Sequence, residues 1–225
     1  MAFSPGGGGI PLILAELEQA RSHVDVAMFY FSSEALVNKL CHLAAERGIQ
    51  VRVLTSADMD KPATRPVLEK LHDHGAAVFV VEPGTIGKLH HKCAVVDAKV
   101  VLTGAANWSE AADQSNHEDV LVLYSPDLAA QYLTRFDELQ DKGVRLSGPS
   151  PSKIARRLDR RPPPPRRNVP GAEAKAAQAR VYFTPAREQI LADLLPQLRQ
   201  ARHVEVGMYL LTDKELLATL AEIAT

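Results

Sequence analysis

The chain has 225 residues, 46% of them hydrophobic, and a formal charge of −1, so it can bury a real core in one large domain or in one domain and part of another. No stretch approaches the roughly 18 apolar residues of a membrane span, and the opening MAFSPGGGGI lacks the basic and apolar regions of a signal peptide. A soluble, cytoplasmic protein is the expectation.

In chain order, VDVAMFYF (Val24 to Phe31) is a β-branched and aromatic run of strand length. SEALVNKLCHLAAERG follows with helical apolar spacing, Ser33 placed to cap it and Gly48 to end it. Gln50 to Ser56 reads as a second strand, Arg65 to His74 as a helix closed by Gly75, and Ala77 to Glu82 as a third strand. Two strands joined by a tight Ala98-Lys99 turn come next, HHKCAVVD and VVLTG, then a strand from Glu118 to Tyr124 and a helix from Pro126 to Lys142. Alternating strands and helices with a hairpin in the second half predict an α/β fold, a mixed β-sheet flanked by helices on both faces. Cys41 falls in a helical apolar pattern and Cys93 in mid-strand. Both read as small buried apolar residues rather than a disulfide or a metal pair, which fits a reducing compartment.

Past this first domain (1–146) the text changes character. Residues 147–180 are rich in proline, with four in a row at Pro162 to Pro165, which forbids a helix or a central strand. From Pro151 to Arg180 nine Lys and Arg face two acids, a net of +7 that leaves −8 for the rest. The stretch reads as a solvated, extended linker, with nucleic acid or anionic lipid as the alternative partner for its charge. At 181–225 the chain then begins again. FTP at Phe183 echoes FSP at Phe3, and HVEVGMYLLTDKELLATL at His203 echoes HVDVAMFYFSSEALVNKL at His23, both offset by 180. That register predicts a tandem duplication whose second copy stops before its own counterpart of His90; the chain is either a fragment or carries a shortened second unit.

The chemistry concentrates in LHHKCAVVDAKVVLTGAANW. His90, Lys92, Asp97, Gly104 and Asn107 stand there at H-x-K-x4-D-x6-G-x-x-N. On a strand, His90 and Lys92 leave the same face, aiming an imidazole nucleophile and an ammonium clamp at one point. Gly104 lets backbone approach a ligand closely, the Asn107 amide can donate to an anionic oxygen, and Glu118 can accept from the second nitrogen of His90 and fix its tautomer. Asp97, where strand meets turn, is expected to cap that turn rather than touch substrate. Such donors around an imidazole suit a tetrahedral phosphorus and imply phosphoryl transfer through a phosphohistidine.

These residues resemble the phospholipase D superfamily signature, H-x-K-x4-D-x6-G-[SG]-x-N, and the flanking LHHK, VVLTGAANWS and NHEDVLVLY are similar to its nuclease-like and cardiolipin-hydrolase-like branches. The similarity covers about Phe3 to Lys142. It implies His90 as nucleophile or acid, Lys92 and Asn107 as phosphate ligands, Glu118 as the partner of His90, and Asp97 and Gly104 as structural. It also implies metal-free chemistry without a cofactor, on a phospholipid or nucleic-acid phosphodiester, at a site built from two motifs face to face. Two departures stand out. Ala105 replaces the family's Ser or Gly, keeping only the backbone NH, and a single His-Lys motif is present. His91 cannot supply the second imidazole, because adjacent strand residues face opposite ways. The expected partner is therefore a second copy in a homodimer, or a second motif beyond Thr225. A binding module with a weak or silent phosphate site is the alternative.

Other features carry less. Trp108 closes the core beneath a loop or stacks a base. His72 and His74 end a helix, His23 and His203 precede strands at equivalent positions of the repeat, His42 is helical, and His117 lies beside Glu118 near the site entrance. No metal cluster has acceptable spacing, and the Gly6 to Gly9 run lacks the Lys-Ser/Thr of a nucleotide loop.

Overall fold

The computed structural model of the chain describes residues 1–81, 87–147, 181–183, 187–206 and 211–224. It divides into two compact units, Met1–Ala179 and Arg180–Thr225. The Pro-rich basic stretch from 148 to 180 and the end of the third predicted strand at Glu82 lie outside the described residues.

In the first unit the elements run β1 (Ala2–Phe3), α1 (Gly9–Glu18), β2 (His23–Met28), α2 (Glu34–Ala45), β3 (Gln50–Ser56), a 3-10 turn (Ala57–Met59), α3 (Arg65–Asp73) and β4 (Ala77–Val81). They continue with β5 (Lys92–Val96), β6 (Val100–Gly104), α4 (Glu110–Gln114), β7 (Asp119–Tyr124), α5 (Pro126–Gln140) and β8 (Val144–Arg145). The eight strands form one sheet in the order β1-β7-β6-β5-β2-β3-β4-β8. Only β2-β3 and β3-β4 are parallel, joined by the crossover helices α2 and α3; the other neighbours are antiparallel. This is the mixed α/β sheet that the alternation of strands and helices predicts.

Both faces are covered, and the two-residue alternation of the strands decides which side chain goes where. Val24, Val26 and Met28 point into the larger core with Ile13, Leu17, Leu36, Leu40, Leu68 and Leu71 of α1, α2 and α3. Ala27, Leu54, Val81 and Cys93 meet Phe136 and Leu139 of α5 on the opposite face. Cys41 and Cys93 are both free and buried, in different cores. Burial pushes the Cys93 thiol up to about 12, so it packs as an apolar group.

Asp25 is a polar exception inside β2. It is buried opposite Arg52, whose Nε donates to it at 2.5 Å, while the same guanidinium reaches Asp137 and Gln140 of α5 at 3.0 and 3.1 Å and lies over the Phe136 ring. Burial raises the Asp25 carboxyl's pKa, against the pull of Arg52.

Two local expectations change and a third holds. Ser33 stands at the N-terminus of α2 but its hydroxyl donates to Glu110 Oε1 at 2.9 Å instead of capping. The tight turn between β5 and β6 is centred on Asp97 and Ala98, not on Ala98 and Lys99: their φ values are 52° and 53°, and Lys99 N–H donates to the Val96 carbonyl at 3.0 Å. With Val96 paired to Val100, the hairpin loop holds three residues, Asp97 to Lys99, the first two at positive φ. Trp108 is buried in the larger core, as the core-closing reading expects.

Asp97 is expected to cap its own turn, but its carboxylate bonds among the described residues go to the chain entering β2. Its carboxylate accepts from the backbone N–H of Arg21 (2.8 Å), Ser22 (2.8 Å) and His23 (3.1 Å) and from the Ser22 hydroxyl (2.7 Å), while its own N–H donates to the His23 carbonyl. The hairpin is thereby tied to the chain entering β2.

In the second unit, α6 (Arg187–Gln200) packs on α7 (Lys214–Ile223), and Asp213 caps α7 by accepting from the N–H groups of Glu215 and Leu216. Shifted by 180 residues, α1 falls within α6, α2 starts where α7 starts, and the Ser33 position falls on Asp213. Residues 203–206 form no strand, and 207–210 lie outside the described residues. β2 holds its extended form through ladders to β3 on one side and β5 on the other; no such ladder is present among the described residues of this unit.

Partial burial raises the Asp97 carboxyl and its hydrogen bonds from Ser22, His23 and Arg21 outweigh that, so its pKa is lowered on folding. The stability it contributes is present above the unfolded carboxylate value of about 4 and is lost as pH falls through the folded value. Asp97→Asn should therefore unfold at lower urea concentration than the wild type at pH 7, by about 1–2 kcal/mol, and the difference should narrow as melts are taken from about pH 4 down through the folded value.

Candidate active site

The parallel strands β2, β3 and β4 end along one edge of the sheet, and β5, running the other way, begins there. Ligands in open α/β sheets favour that edge. His90 and Lys92 are placed on it by the β2-β5 register: Lys92 pairs with Met28, and Phe29 N–H donates to the His91 carbonyl at 2.8 Å.

His90 is exposed and stacks on Phe29, with ring centroids 4.6 Å apart and planes tilted by 47°. Lys92 Nζ is 3.3 Å from both ring nitrogens of His90 and 3.1 Å from its carbonyl oxygen, and also faces the Phe29 ring at 5.1 Å. Equal distances to Nδ1 and Nε2 put the ammonium off the ring plane, because an in-plane position would collide with Cε1. Desolvation first, then the charges of Lys92 and Lys88, lower the His90 pKa and favour the neutral, nucleophilic ring. Lys92 is half-buried; desolvation lowers its pKa, and the charge of Glu118 acts the other way.

His91 faces away from this pair. Burial, then the charge of Arg135 on α5, with those of Lys92 and His90, depress its pKa to about 4, so it belongs to the opposite face as strand parity requires.

Asn107 and Glu118 meet across a small cavity lined also by Ser4, Trp108 and Asp113. The loop that carries Asn107 is fixed from both sides. Ser32 and Ser33 N–H both donate to the Trp108 carbonyl at 2.9 Å, and Ala105 N–H donates to the Asp119 carbonyl at 3.1 Å. Asn107 Oδ1 is buried and accepts no hydrogen bond among the described residues, so the amide is oriented by packing. The Glu118 carboxylate accepts from Asn116 Nδ2 at 3.1 Å. No hydrogen bond joins it to His90 among the described residues; its tie to the His-Lys pair is electrostatic, through Lys92.

Two motif residues work differently from expectation. Gly104 has φ +146°, and a Cβ there would sit 2.2 Å from the Asp119 carbonyl oxygen; what approaches its backbone is the neighbouring strand rather than a ligand. Ala105 offers neither a hydroxyl nor a free N–H, since that N–H is already spent on Asp119.

Sequence reasoning missed four neighbours. Phe29 supports the imidazole. Lys88 adds charge beside it while paired to Asp58 at 2.7 Å, which with Lys61 holds the Asp58 carboxyl near 2. Asp113 accepts from the N–H groups of Gly9 and Ile10 at 2.7 and 3.1 Å, capping α1. Ser4 touches the Glu118 backbone. Only Phe29 and Ser4 had a signal, since both recur in kind in the offset repeat, as Tyr209 and Thr184. His117 is exposed, and no metal-binding group of three His, Cys, Asp or Glu occurs among the described residues.

One edge of the mixed sheet thus carries a His-Lys pair, an asparagine loop and a glutamate. The family described as "Cardiolipin synthase, PLD-like domain" matches residues 13–140, more than half of the chain, and the chain belongs to this phospholipase D superfamily. The mitochondrial cardiolipin hydrolase of Mus musculus is 31% identical over 151 residues, covering 61% of this chain and 66% of that protein. A phospholipase D of Rickettsia conorii is 30% identical over 132 residues, covering 58% and 64%. The chain thus spans between about half and two thirds of the length of the curated relatives it matches. Among solved structures, the phospholipase D family member Nuc from Salmonella typhimurium superposes with a TM-score of 0.61 at 21% identity, over 65% of this chain and 96% of that one. NucT from Helicobacter pylori gives 0.55 at 19%, over 61% and 90%. Both show a shared fold. No described helix is long and apolar enough to cross a membrane.

Followed by NMR, the His90 ring should titrate below 6.5, and Lys92→Met, which removes the ammonium from above the ring, should move that midpoint up towards 6.5.

Proposed function

We propose that the chain is a phosphodiesterase that hydrolyses phosphodiester bonds of phospholipid or nucleic acid through a phosphohistidine, without a metal ion. The observation that carries this reading is the exposed His90 ring, its pKa lowered, with the Lys92 ammonium 3.3 Å from its nitrogens. A ring nitrogen of His90, or of its mate, bonds to phosphorus as the bond to the leaving oxygen breaks. That oxygen takes its proton from the other histidine, in imidazolium form. Water deprotonated by that second ring then breaks the P–N bond and restores the first. On entry of an anionic phosphate, Lys92 turns from the imidazole to a non-bridging oxygen, and Asn107 donates to another from its anchored loop. Donors fixed in advance around developing charge supply the largest part of such catalysis.

Two histidines of different pKa are needed, one neutral and one protonated. His91 cannot serve as the acid, with its pKa near 4 and its opposite orientation. The second motif comes from another copy across a two-fold axis, or from a second domain of which Arg180–Thr225 is the start; the coincidence of α1 and α2 with α6 and α7 at one offset supports that repeat. A second reading, a phosphate-binding module with little or no turnover, is favoured by Ala105, which lacks the family's hydroxyl and whose N–H is already paired.

The protein should turn over bis(p-nitrophenyl) phosphate in EDTA, and His90→Ala should lower kcat/KM by about a thousandfold or more; phosphate binding without turnover decides for the module. Light scattering on the active fraction should return twice the monomer mass, and an active, strictly monomeric species rules out the two-fold site.

A further inference from the structure

The FSP/FTP echo has no place in the chemistry above, yet it lands beside it. β1 pairs with β7 in the antiparallel register Ala2↔Val120 and Phe3↔Asp119, so the next pair is Ser4 with Glu118. Ser4 N–H donates to the Glu118 carbonyl at 3.0 Å, as the ladder requires. The return bond departs from the ladder: Glu118 N–H donates to the Ser4 hydroxyl at 3.1 Å rather than to the Ser4 carbonyl. A side-chain oxygen stands in for a backbone one, and only a hydroxyl-bearing residue at position 4 does this from one bond beyond Cβ. The offset repeat keeps that chemistry, with Thr184 in the corresponding place.

Resting on the phosphodiesterase reading, we propose that Ser4 is a positioning residue that holds Glu118 at the site. β1 has two residues, and Glu118 precedes the first residue of β7; without the Ser4 hydroxyl the Glu118 N–H would lose its bond to the edge strand, leaving only the one from the Ser4 N–H to the Glu118 carbonyl. The bracket fixes where the carboxylate leaves the chain, across the cavity from Asn107 and within electrostatic reach of Lys92. Ser4 touches neither His90 nor Lys92, and its effect on turnover passes through Glu118. Because the Glu118 charge raises the Lys92 pKa against desolvation, loosening Glu118 lets Lys92 lose its proton at lower pH.

The test is a double-mutant cycle on the full chain with bis(p-nitrophenyl) phosphate as probe. Ser4→Ala should cut kcat/KM about tenfold, mainly in kcat, and move the alkaline limb of the pH–rate profile to lower pH; Ser4→Thr should restore both. In a Glu118→Ala background, Ser4→Ala should cost nothing further. A full additional loss there, or a wild-type alkaline limb in Ser4→Ala, overturns the proposal and leaves the phosphodiesterase reading intact. If the wild type turns over no phosphodiester, that reading fails instead. Should Ser4→Ala not fold, hydrogen exchange of the Glu118 amide in the wild type decides: slow exchange, made faster in Ser4→Val than in Ser4→Thr, supports the bracket, and exchange at the free-amide rate overturns it.

Discussion

The Asp97 carboxylate gathers three backbone N–H groups and a hydroxyl at the entrance to β2, and its own amide returns a bond to His23. This cluster pins one end of the β2-β5 ladder, and the ladder's two-residue period carries the setting to the other end, where Met28 meets Lys92. A slip of one residue would exchange the two faces of β5: Lys92 would turn to the face that packs on α5, and His91 to the face that now carries His90. A carboxylate that touches none of the site residues thus decides which imidazole is presented.

Once the register is fixed, the site is an electrostatic compromise. Desolvation and the charge of Lys92 disfavour protonation of His90, desolvation also disfavours the ammonium of Lys92, and Glu118 opposes that second effect from the far side. The same edge recruits Asn107 through backbone contacts alone. Gly104 admits the Asp119 carbonyl so closely that no side chain fits, and that carbonyl then holds the Ala105 N–H. The glycine of the motif is a packing requirement between β6 and β7, and the loop beyond it inherits its direction.

Shifted by 180 residues, α1 and α2 fall on α6 and α7 of the second unit. Leu36, Val37 and Leu40 of α2 are buried against the sheet; their counterparts are Leu216, Leu217 and Leu220 of α7, and Leu217 is 43% exposed. The difference follows from what each helix pair packs on: α1 and α2 cover a sheet, whereas α6 and α7 have chiefly each other among the described residues.

Much of this was legible in the sequence for a physical reason. Strand parity placed His90 and Lys92 together and His91 apart, and apolar period distinguished the crossover helices from the strands they cover. Asp97 was readable as a residue that binds backbone rather than substrate, though not as one that holds Arg21 to His23 instead of its own turn. These are local properties, set by backbone geometry over a few residues. The tertiary structure alone decided the rest: that the turn centres on Asp97-Ala98, that Glu118 bonds Asn116 while reaching Lys92 only through its field, that the Ala105 N–H is consumed by Asp119, and that Ser4 brackets Glu118 from 114 residues away. Each depends on which strand lies beside which, and strand order is fixed by the summed burial of both sheet faces, which no short window of residues contains.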